Sequence, residues 1–124
     1  MNGSADLEMP SEVRKAADYA LDRKAVDVTV LDLRDLSSAT DFFVIATGRS
    51  DIHVRAIAEH ILDSARGDGN RPEHIEGLDE GRWVLLDYID HVVHVFHPSV
   101  RDFYRLEALW GDARSMPFPD SSAP

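Results

Sequence analysis

The amino-acid sequence predicts a single α/β (α+β) domain, a mixed five-stranded sheet with packed helices in the order α-β-β-α-β-β-β-α. Length is the first observation, because 124 residues is the size of one domain. The second is a hydrophobic content of 44%, which is sufficient for a buried core. The third is that segments with helical apolar spacing alternate along the chain with short β-branched runs.

The first half of the chain predicts a helix, two strands and a second helix. Residues 1–9 are polar and unpatterned, as in a flexible N-terminal tail, so the domain is expected to span 10–111. The run from Val26 to Leu33 is rich in β-branched residues, and the apolar run from Phe42 to Thr47 suits a strand buried on both faces. The two helices have apolar stripes at Val13, Ala16, Ala17, Ala20 and Leu21, and at Val54, Ile57, Ala58, Ile61, Leu62 and Ala65.

Three further strands are predicted in the second half. His74 to Gly77 is a brief strand candidate, and two β-rich runs, Arg82 to Tyr88 and His91 to Phe96, flank a hairpin turn at Ile89-Asp90. The strand–helix–strand unit in the middle of the chain requires a parallel pair with a right-handed crossover, whereas the hairpins are antiparallel. The sheet is therefore expected to be mixed.

A last helix and a second tail complete the predicted domain. Pro98 suits the first turn of this helix, and Gly111 is expected to end it. Residues 112–124 are rich in Pro and Ser and are expected to form a flexible C-terminal tail. The apolar anchors of the helix are Val100, Phe103, Tyr104, Leu106 and Trp110.

Composition excludes several classes of protein. The 23 acidic and 13 basic side chains give a net charge of −10, which disfavours autonomous nucleic-acid binding. This charge indicates either a basic protein partner or a surface that is acidic only for solubility. The absence of cysteine excludes disulfides, thiolate zinc sites and a cysteine nucleophile. No apolar run reaches the ~20 residues of a membrane span, so no membrane contact and a cytoplasmic location are expected.

The histidines do not form a metal-binding pattern. His91, His94 and His97 are spaced by three, and on a strand this spacing places neighbours on opposite faces. A zinc site needs three or four ligands that converge on one point. We therefore expect ordinary histidines, and no metal or other cofactor is predicted.

Two further motifs are compatible with chemistry but do not require it. Thr47-Gly48-Arg49-Ser50 lies between a strand and a helix, where backbone amides can hold an anion, but a tight turn with Ser50 as N-cap is the favoured interpretation. Asp87 and Asp90 resemble a pair of metal-binding carboxylates, although their spacing places them apart and Asp90 suits a turn. No catalytic residue is predicted.

The two tryptophans are candidates for a binding surface. Trp110 has helical spacing with Phe103 and Leu106, which favours a core position. Trp83 opens a strand directly after Gly81 and Arg82, where a core role and a contact role are about equally supported. Trp is prominent among binding hot spots because it contributes a large contact area with little rotamer entropy.

Several ungapped blocks resemble the ribosomal silencing factor (RsfS, or iojap-like) family from about Val13 to Trp110. The blocks are Asp41–Gly48, Ser50 with Val54–Ala58, Glu76-Gly77, Trp83–Tyr88, Val92–Phe96, Arg101, Phe103-Tyr104, Leu106-Glu107 and Leu109-Trp110. Two positions depart from the family pattern. Ile89 stands where Gly is usual, so the hairpin is expected to need another geometry, and His53 stands where Gln is frequent.

The resemblance implies a fold similar to nucleotidyltransferases without the catalytic carboxylates, and a protein that is not an enzyme. It implies binding to the large ribosomal subunit through ribosomal protein L-fourteen, little direct RNA contact, blocked joining of the subunits and repressed translation under nutrient limitation. It also implies a homodimer when free. The contact residues implied are Arg82, Trp83, Leu85, Leu86, Asp87 and Tyr88. The alternative is a small nucleotidyltransferase-type enzyme that would use Ser50, Asp87 and Asp90 on a nucleotide.

Overall fold

The structure, a computed structural model, describes residues 9–104, 111 and 113–119. Met9 is only 6% exposed and belongs to the core, so the domain begins before residue 10. Residues 1–8 and 105–110 lie outside the described residues, as do the predicted anchors Leu106 and Trp110. The elements in chain order are α1 (Ser11–Asp22), β1 (Val26–Asp32), β2 (Phe42–Thr47), α2 (Asp51–Gly67), β3 (His74–Glu76), β4 (Trp83–Asp87), β5 (His91–Phe96), α3 (Pro98–Tyr104) and β6 (Arg114–Phe118).

The strands form one six-stranded mixed sheet in the order β3-β4-β5-β2-β1-β6. β2 and β5 are parallel, and the chain between them passes through α2, β3 and β4, while the other neighbours are antiparallel. The predicted mixed α+β architecture is therefore confirmed.

The predicted strand count and the predicted C-terminal tail need correction. Arg114–Phe118 pairs with β1 as a sixth strand, with Met116 opposite Val30. Its Pro and Ser content favoured a loop, but Pro is compatible with an edge strand, and Met116 and Phe118 pack against the core. Asp32 accepts a hydrogen bond of 3.1 Å from Arg114 Nη2, which further stabilises the strand on the sheet.

The larger core lies between one face of the sheet and the helices α1 and α2. Ser50 is the N-cap of α2, since its Oγ accepts a hydrogen bond of 3.1 Å from the His53 N–H, as the sequence predicted. The α2 residues buried against the sheet are Val54, Ile57, Ala58 and Ile61, and those of α1 are Val13, Ala16, Ala17 and Ala20. Within the described part of the chain, no helix has the length and apolar character needed to cross a membrane.

A second, smaller apolar cluster lies on the opposite face of the sheet. Its buried members are Leu31, Leu33, Ile45 and Phe96, and Phe43, Trp83, Val100 and Ala113 pack against them half-buried. Val100 comes from α3, which begins at Pro98 as predicted. Both faces of the sheet therefore carry apolar side chains.

The β4–β5 hairpin turn contradicts the expectation of another geometry at Ile89. Ile89 adopts a φ of 75°, the left-handed region that glycine favours. The Asp90 N–H donates a 2.9 Å hydrogen bond to the Tyr88 carbonyl across it. Thr40 Oγ1 donates another of 2.9 Å to the Ile89 carbonyl. The turn thus keeps a glycine-like backbone and places a β-branched residue in it, at a cost in backbone strain.

Candidate functional site

Strand β4 carries the candidate contact residues, and its pleat divides them between two environments. Val84 and Leu86 are buried against the helices, whereas Trp83, Leu85 and Asp87 are half-buried on the opposite face. This division follows from the two-residue period of a strand. Only the second set retains side-chain surface that a partner could reach.

Trp83 is held against the sheet by its ring contacts. Its indole lies 5.0 Å from the ring of Phe96, centroid to centroid, and its Nε1–H donates a 3.1 Å hydrogen bond to His94 Nδ1. Trp83 pairs with Phe96 and Leu85 with His94 in the β4–β5 register, so these rings are cross-strand or diagonal neighbours. The aromatic part of the candidate contact surface is consequently ordered by contacts within the chain.

His94 is the buried centre of this aromatic cluster. It is 4% exposed and makes an edge contact with Phe43 at 4.6 Å between ring centroids. Because Nδ1 accepts the hydrogen bond from Trp83, the proton of the neutral ring is on Nε2, which has no hydrogen-bond partner among the described residues. Burial lowers the pKa of His94 to about 4, so the ring is neutral at physiological pH.

Gly77 allows the chain around β3 to approach the first residue of β4. A Cβ on Gly77 would lie 2.0 Å from the Trp83 carbonyl oxygen, and the residue has a φ of 78°. Both conditions exclude any residue with a side chain from this conformation without a backbone shift. Gly77 therefore helps to fix the position of Trp83, which explains a glycine that sequence reasoning treated only as part of a motif.

Polar residues lie at the two ends of β4, with Arg82 directly before the strand and Asp87 at its last position. Arg82 is exposed, and its Nη2 donates a 2.9 Å hydrogen bond to Ser99 Oγ at the start of α3. Asp87 Oδ1 accepts a 2.8 Å hydrogen bond from the Ile89 N–H and so stabilises the hairpin turn. Leu85 lies between these polar ends, which gives the strand an apolar centre.

Two of the predicted contact residues point to the other face. Leu86 is 0% exposed in the main core, so its inclusion as a direct contact is corrected: its side chain cannot touch a partner. Tyr88 is half-buried and stacks on His91, with ring centroids 5.1 Å apart. Its hydroxyl is buried without a partner among the described residues, and burial raises the pKa of Tyr88 to about 12. Leu86 and Tyr88 support the strand from the helix side.

The residues of the enzyme alternative are not brought together. Ser50 lies just after the end of β2. Asp90 lies at the other end of this strand, because its carbonyl accepts a hydrogen bond from the Asp41 N–H just before β2 begins. The length of the strand, about 20 Å, therefore separates Ser50 from Asp90. Ser50 is occupied as a helix cap and Asp87 as a turn acceptor. Among the residues described here, no group of three His, Cys, Asp or Glu side chains converges on a metal position.

Sequence reasoning missed the aromatic cluster around Trp83. Phe43, Trp83 and the pair His94 and Phe96 belong to three separate sequence blocks, and each block was assigned to a strand correctly. The pairing of Ile45 with His94 and of Trp83 with Phe96 is what places their rings together. A register argument based on the hairpin turn at Ile89 would have found the Trp83–Phe96 pair, because the turn sets the register of its two strands.

Comparison with known proteins identifies relatives over nearly the whole chain. The family model described as "Ribosomal silencing factor during starvation" (RsfS) matches residues 6–124. The ribosomal silencing factor RsfS of Bacillus subtilis is 45% identical over 107 residues, covering 86% of this chain and 91% of that protein. The chloroplastic protein Iojap of Arabidopsis thaliana is 36% identical over 121 residues, covering 96% of this chain and 50% of that protein.

Solved structures show the same architecture. A crystal structure from Bacillus halodurans matches with a TM-score of 0.75 and 37% identity, covering 88% of this chain and all (100%) of that one. A protein from Chromobacterium violaceum matches with a TM-score of 0.77 and 37% identity, covering 92% of this chain and 98% of that one. At this level of identity the likeness extends beyond the fold to ancestry.

Proposed function

The chain belongs to the ribosomal silencing factor family, RsfS, and we propose that it represses translation by binding the large ribosomal subunit through ribosomal protein L-fourteen and blocking subunit joining. The observation that carries the proposal is the match to the family model over residues 6–124. The proposed setting is the cytoplasm under nutrient limitation, in keeping with the starvation named in the family description.

The outer side of β4 is the proposed contact. Trp83 and Leu85 give it an apolar centre, Asp87 gives it a polar end, and Arg82 directly precedes the strand. An anchored tryptophan surrounded by polar groups is the usual composition of a binding hot spot. The net charge of −10 supports a basic ribosomal protein as the main partner, because opposite charges accelerate association, whereas the like charge of phosphates disfavours RNA in that role.

Steric exclusion is the proposed mechanism, and it requires neither catalysis nor a cofactor. A folded domain of this length has a radius of gyration of ~14 Å, which corresponds to a body roughly 35 Å across. A body of that size on the joining face of the large subunit would occupy space that the small subunit needs. We propose accordingly that the protein is not an enzyme.

We also propose a homodimer for the free protein, on the basis of family membership. A second copy on the outer side of β4 would cover Trp83 and Leu85 until the ribosome replaces it. Sedimentation equilibrium of wild type and Leu85→Glu tests this arrangement, because a buried charge in the contact should produce a monomer. A Leu85→Glu protein that stays dimeric would place the dimer contact elsewhere.

Sedimentation of purified subunits tests the proposed function. The protein should migrate with large subunits only, and increasing amounts should reduce the fraction of joined ribosomes. Trp83→Ala should weaken both effects, while Leu36→Ala, a change at a residue 41% exposed outside β4, should leave them unchanged. Migration with small subunits alone would contradict the proposal. Thermal stabilisation by a nucleoside triphosphate with magnesium at sub-millimolar concentration would instead support the enzyme alternative.

A further inference from the structure

Three cationic side chains lie together at one end of the sheet, in a protein that is otherwise acidic. Arg23 and Lys24 form the turn between α1 and β1, and Arg49 lies in the turn between β2 and α2. All three are exposed. The turns are adjacent because Val26, at the start of β1, pairs with Thr47, at the end of β2. We call Arg23, Lys24 and Arg49 the cationic edge.

His53 connects the two turns of the cationic edge. The Arg49 N–H donates a 2.8 Å hydrogen bond to His53 Nδ1, so the proton of the neutral ring is on Nε2. Nε2–H then donates a 2.7 Å hydrogen bond to the Arg23 carbonyl. One side chain of α2 thereby holds both turns in a fixed relation.

The three side chains of the cationic edge have no acidic partner among the described residues, unlike five other cations of the chain. Within the part of the chain that the structure describes, no ion pair or side-chain hydrogen bond engages Arg23, Lys24 or Arg49. Aspartates elsewhere form ion pairs with Lys15, Arg34, Arg55, Arg66 and Arg114. An exposed cluster of unpaired cations retains its charge for an external anion.

The carboxylates near the cationic edge do not neutralise it. Asp22 is hydrogen-bonded to His60 at 3.1 Å, and Asp51 is paired with Arg55 at 3.8 Å. Asp27 is exposed at the start of β1, so Asp22 and Asp27 together set two carboxylates against the three cations. The local charge is therefore positive, opposite in sign to that of the whole chain.

The cationic edge and the proposed contact residue Trp83 lie at the same end of the sheet. Trp83 pairs with Phe96, Phe96 with Thr47, and Thr47 with Val26, so a single row crosses four strands. At about 4.8 Å per strand, roughly 14 Å separates the two ends of the row. A partner surface that places a ribosomal protein at Trp83 can therefore place its neighbouring rRNA at the cationic edge.

We propose that the cationic edge binds the phosphodiester backbone of rRNA beside the ribosomal protein that β4 contacts. This inference rests on the proposed function, because that function supplies the large subunit as the binding partner. Arg and Lys bind phosphate by charge and by hydrogen bonds that carry no sequence information. The contact fixes the orientation of the protein on the subunit and adds a limited RNA component to a contact otherwise made with protein.

Charge removal at the cationic edge tests the inference. The variant Arg23→Gln/Lys24→Gln/Arg49→Gln should bind large subunits about tenfold more weakly. The magnitude of the slope of log K against log salt concentration should also fall by about 2, because each phosphate contact contributes roughly 0.7–0.9 to that slope. Its affinity for isolated ribosomal protein L-fourteen should stay within about twofold of wild type. The matched control Lys15→Gln/Arg66→Gln/Arg71→Gln removes the same charge from exposed positions elsewhere and should retain the wild-type slope.

Equal slopes for wild type and the cationic-edge variant would overturn the inference, as would equal losses in the two triple variants. Failure of the proposed function gives a different result, namely that wild type binds neither isolated L-fourteen nor large subunits. In that case the inference is tested by NMR, with a short RNA hairpin titrated into isotope-labelled wild type. Changes in the amide chemical shifts of residues 22–25 and 48–53 would support RNA binding at the cationic edge, and their absence would overturn it.

The His53 contacts provide a second, independent test. Glutamine also offers one acceptor and one donor at the end of its side chain, whereas leucine offers neither. His53→Gln should retain the salt slope of wild type, and His53→Leu should lower it by about 1, as the two turns separate. If His53→Leu matches wild type in slope, the fixed relation of the two turns has no part in binding.

Discussion

The two sides of strand β4 differ in exposure, although both carry apolar residues. On the inner side, Val84 and Leu86 are 0% exposed and pack only within the protein. On the outer side, Trp83 and Leu85 are half-buried, and the indole of Trp83 is held by a hydrogen bond to His94. One set of side chains of this strand thus contributes to stability, while the alternate set is the one available for the proposed binding.

The outer side is partly exposed, yet its largest side chain, Trp83, is ordered. The indole of Trp83 is fixed by the ring of Phe96 and by the buried His94. A side chain that is already ordered loses little conformational entropy on binding. The inner side needs only shape complementarity, whereas the outer side needs polar anchors that the apolar pattern of the sequence does not reveal.

The largest expected effect is on the inner side, at Leu86. Leu86→Ala should reduce the free energy of unfolding by about 3–4 kcal/mol, because it leaves a cavity in a fully buried site. Leu85→Ala, the matched change on the half-buried outer side, should cost about 1 kcal/mol. Urea denaturation of both variants measures the difference. Equal losses in the two variants would remove the distinction between the two sides.

Trp83 should have its main effect on binding. Trp83→Ala should weaken binding to large subunits by about 2–4 kcal/mol, as for a hot-spot tryptophan. The loss of its contacts with Phe96 and His94 should reduce stability by about 1–2 kcal/mol. Co-sedimentation and thermal melting of the same variant measure the two effects.

Trp83→Phe is the control for this prediction. It keeps a ring against Phe96 but cannot donate to His94 Nδ1, so it should retain more affinity than the alanine variant. A folded Trp83→Ala protein that binds and blocks subunit joining like wild type would exclude Trp83 from the contact.

Much of the inner side could be predicted from the sequence. The helical stripes, the Ser50 cap and the apolar runs of β2 and β5 are local patterns, and each directly reflects the face that it buries. The sixth strand could not be predicted in this way, because Arg114–Phe118 is short and contains Pro. Its place on the sheet depends on pairing with β1, which lies far away in sequence.

The outer side was predictable only in part. Alternation along β4 separates Trp83 from Leu86, but the partners of Trp83 lie on another strand and depend on register. His94 has no distinguishing mark in the sequence, since its role follows from burial and from the orientation of a neighbouring indole. Ile89 departs from turn preferences altogether, because the hairpin imposes its φ of 75°.

Low pH should lower the free energy of unfolding through His94, the buried histidine on the outer side. The unfolded chain takes up a proton at the ordinary His pKa of 6.5 and the folded protein only at about 4, so the unfolded state binds more protons between these values. The stability is therefore fully present above pH 6.5 and is lost as the pH falls towards 4. Between pH 7 and pH 5 the loss should be about 2 kcal/mol.

Urea denaturation of wild type and His94→Phe at a series of pH values measures this term. In the variant, the free energy of unfolding should change much less with pH in this range. The remaining change should come from His91, because burial also lowers the pKa of His91. A wild-type stability that does not change between pH 7 and pH 5 would show that His94 accepts a proton in the folded protein without penalty.

The smallest effect concerns the turn that sets which residues of β4 face which side. Ile89 has a φ of 75° and is 58% exposed, so its side chain contributes strain and little packing. Ile89→Gly should raise the free energy of unfolding by about 1 kcal/mol, because relief of the strain exceeds the added backbone entropy of the unfolded chain.

Asp90→Gly is the matched change at the neighbouring residue, which has no positive φ, and it should lower the free energy of unfolding by about 0.5–1 kcal/mol. Binding to large subunits should be unchanged in both, since the register and hence the outer side of β4 stay the same. A lower melting temperature for Ile89→Gly would mean that the isoleucine side chain stabilises the hairpin by more than its backbone strains it.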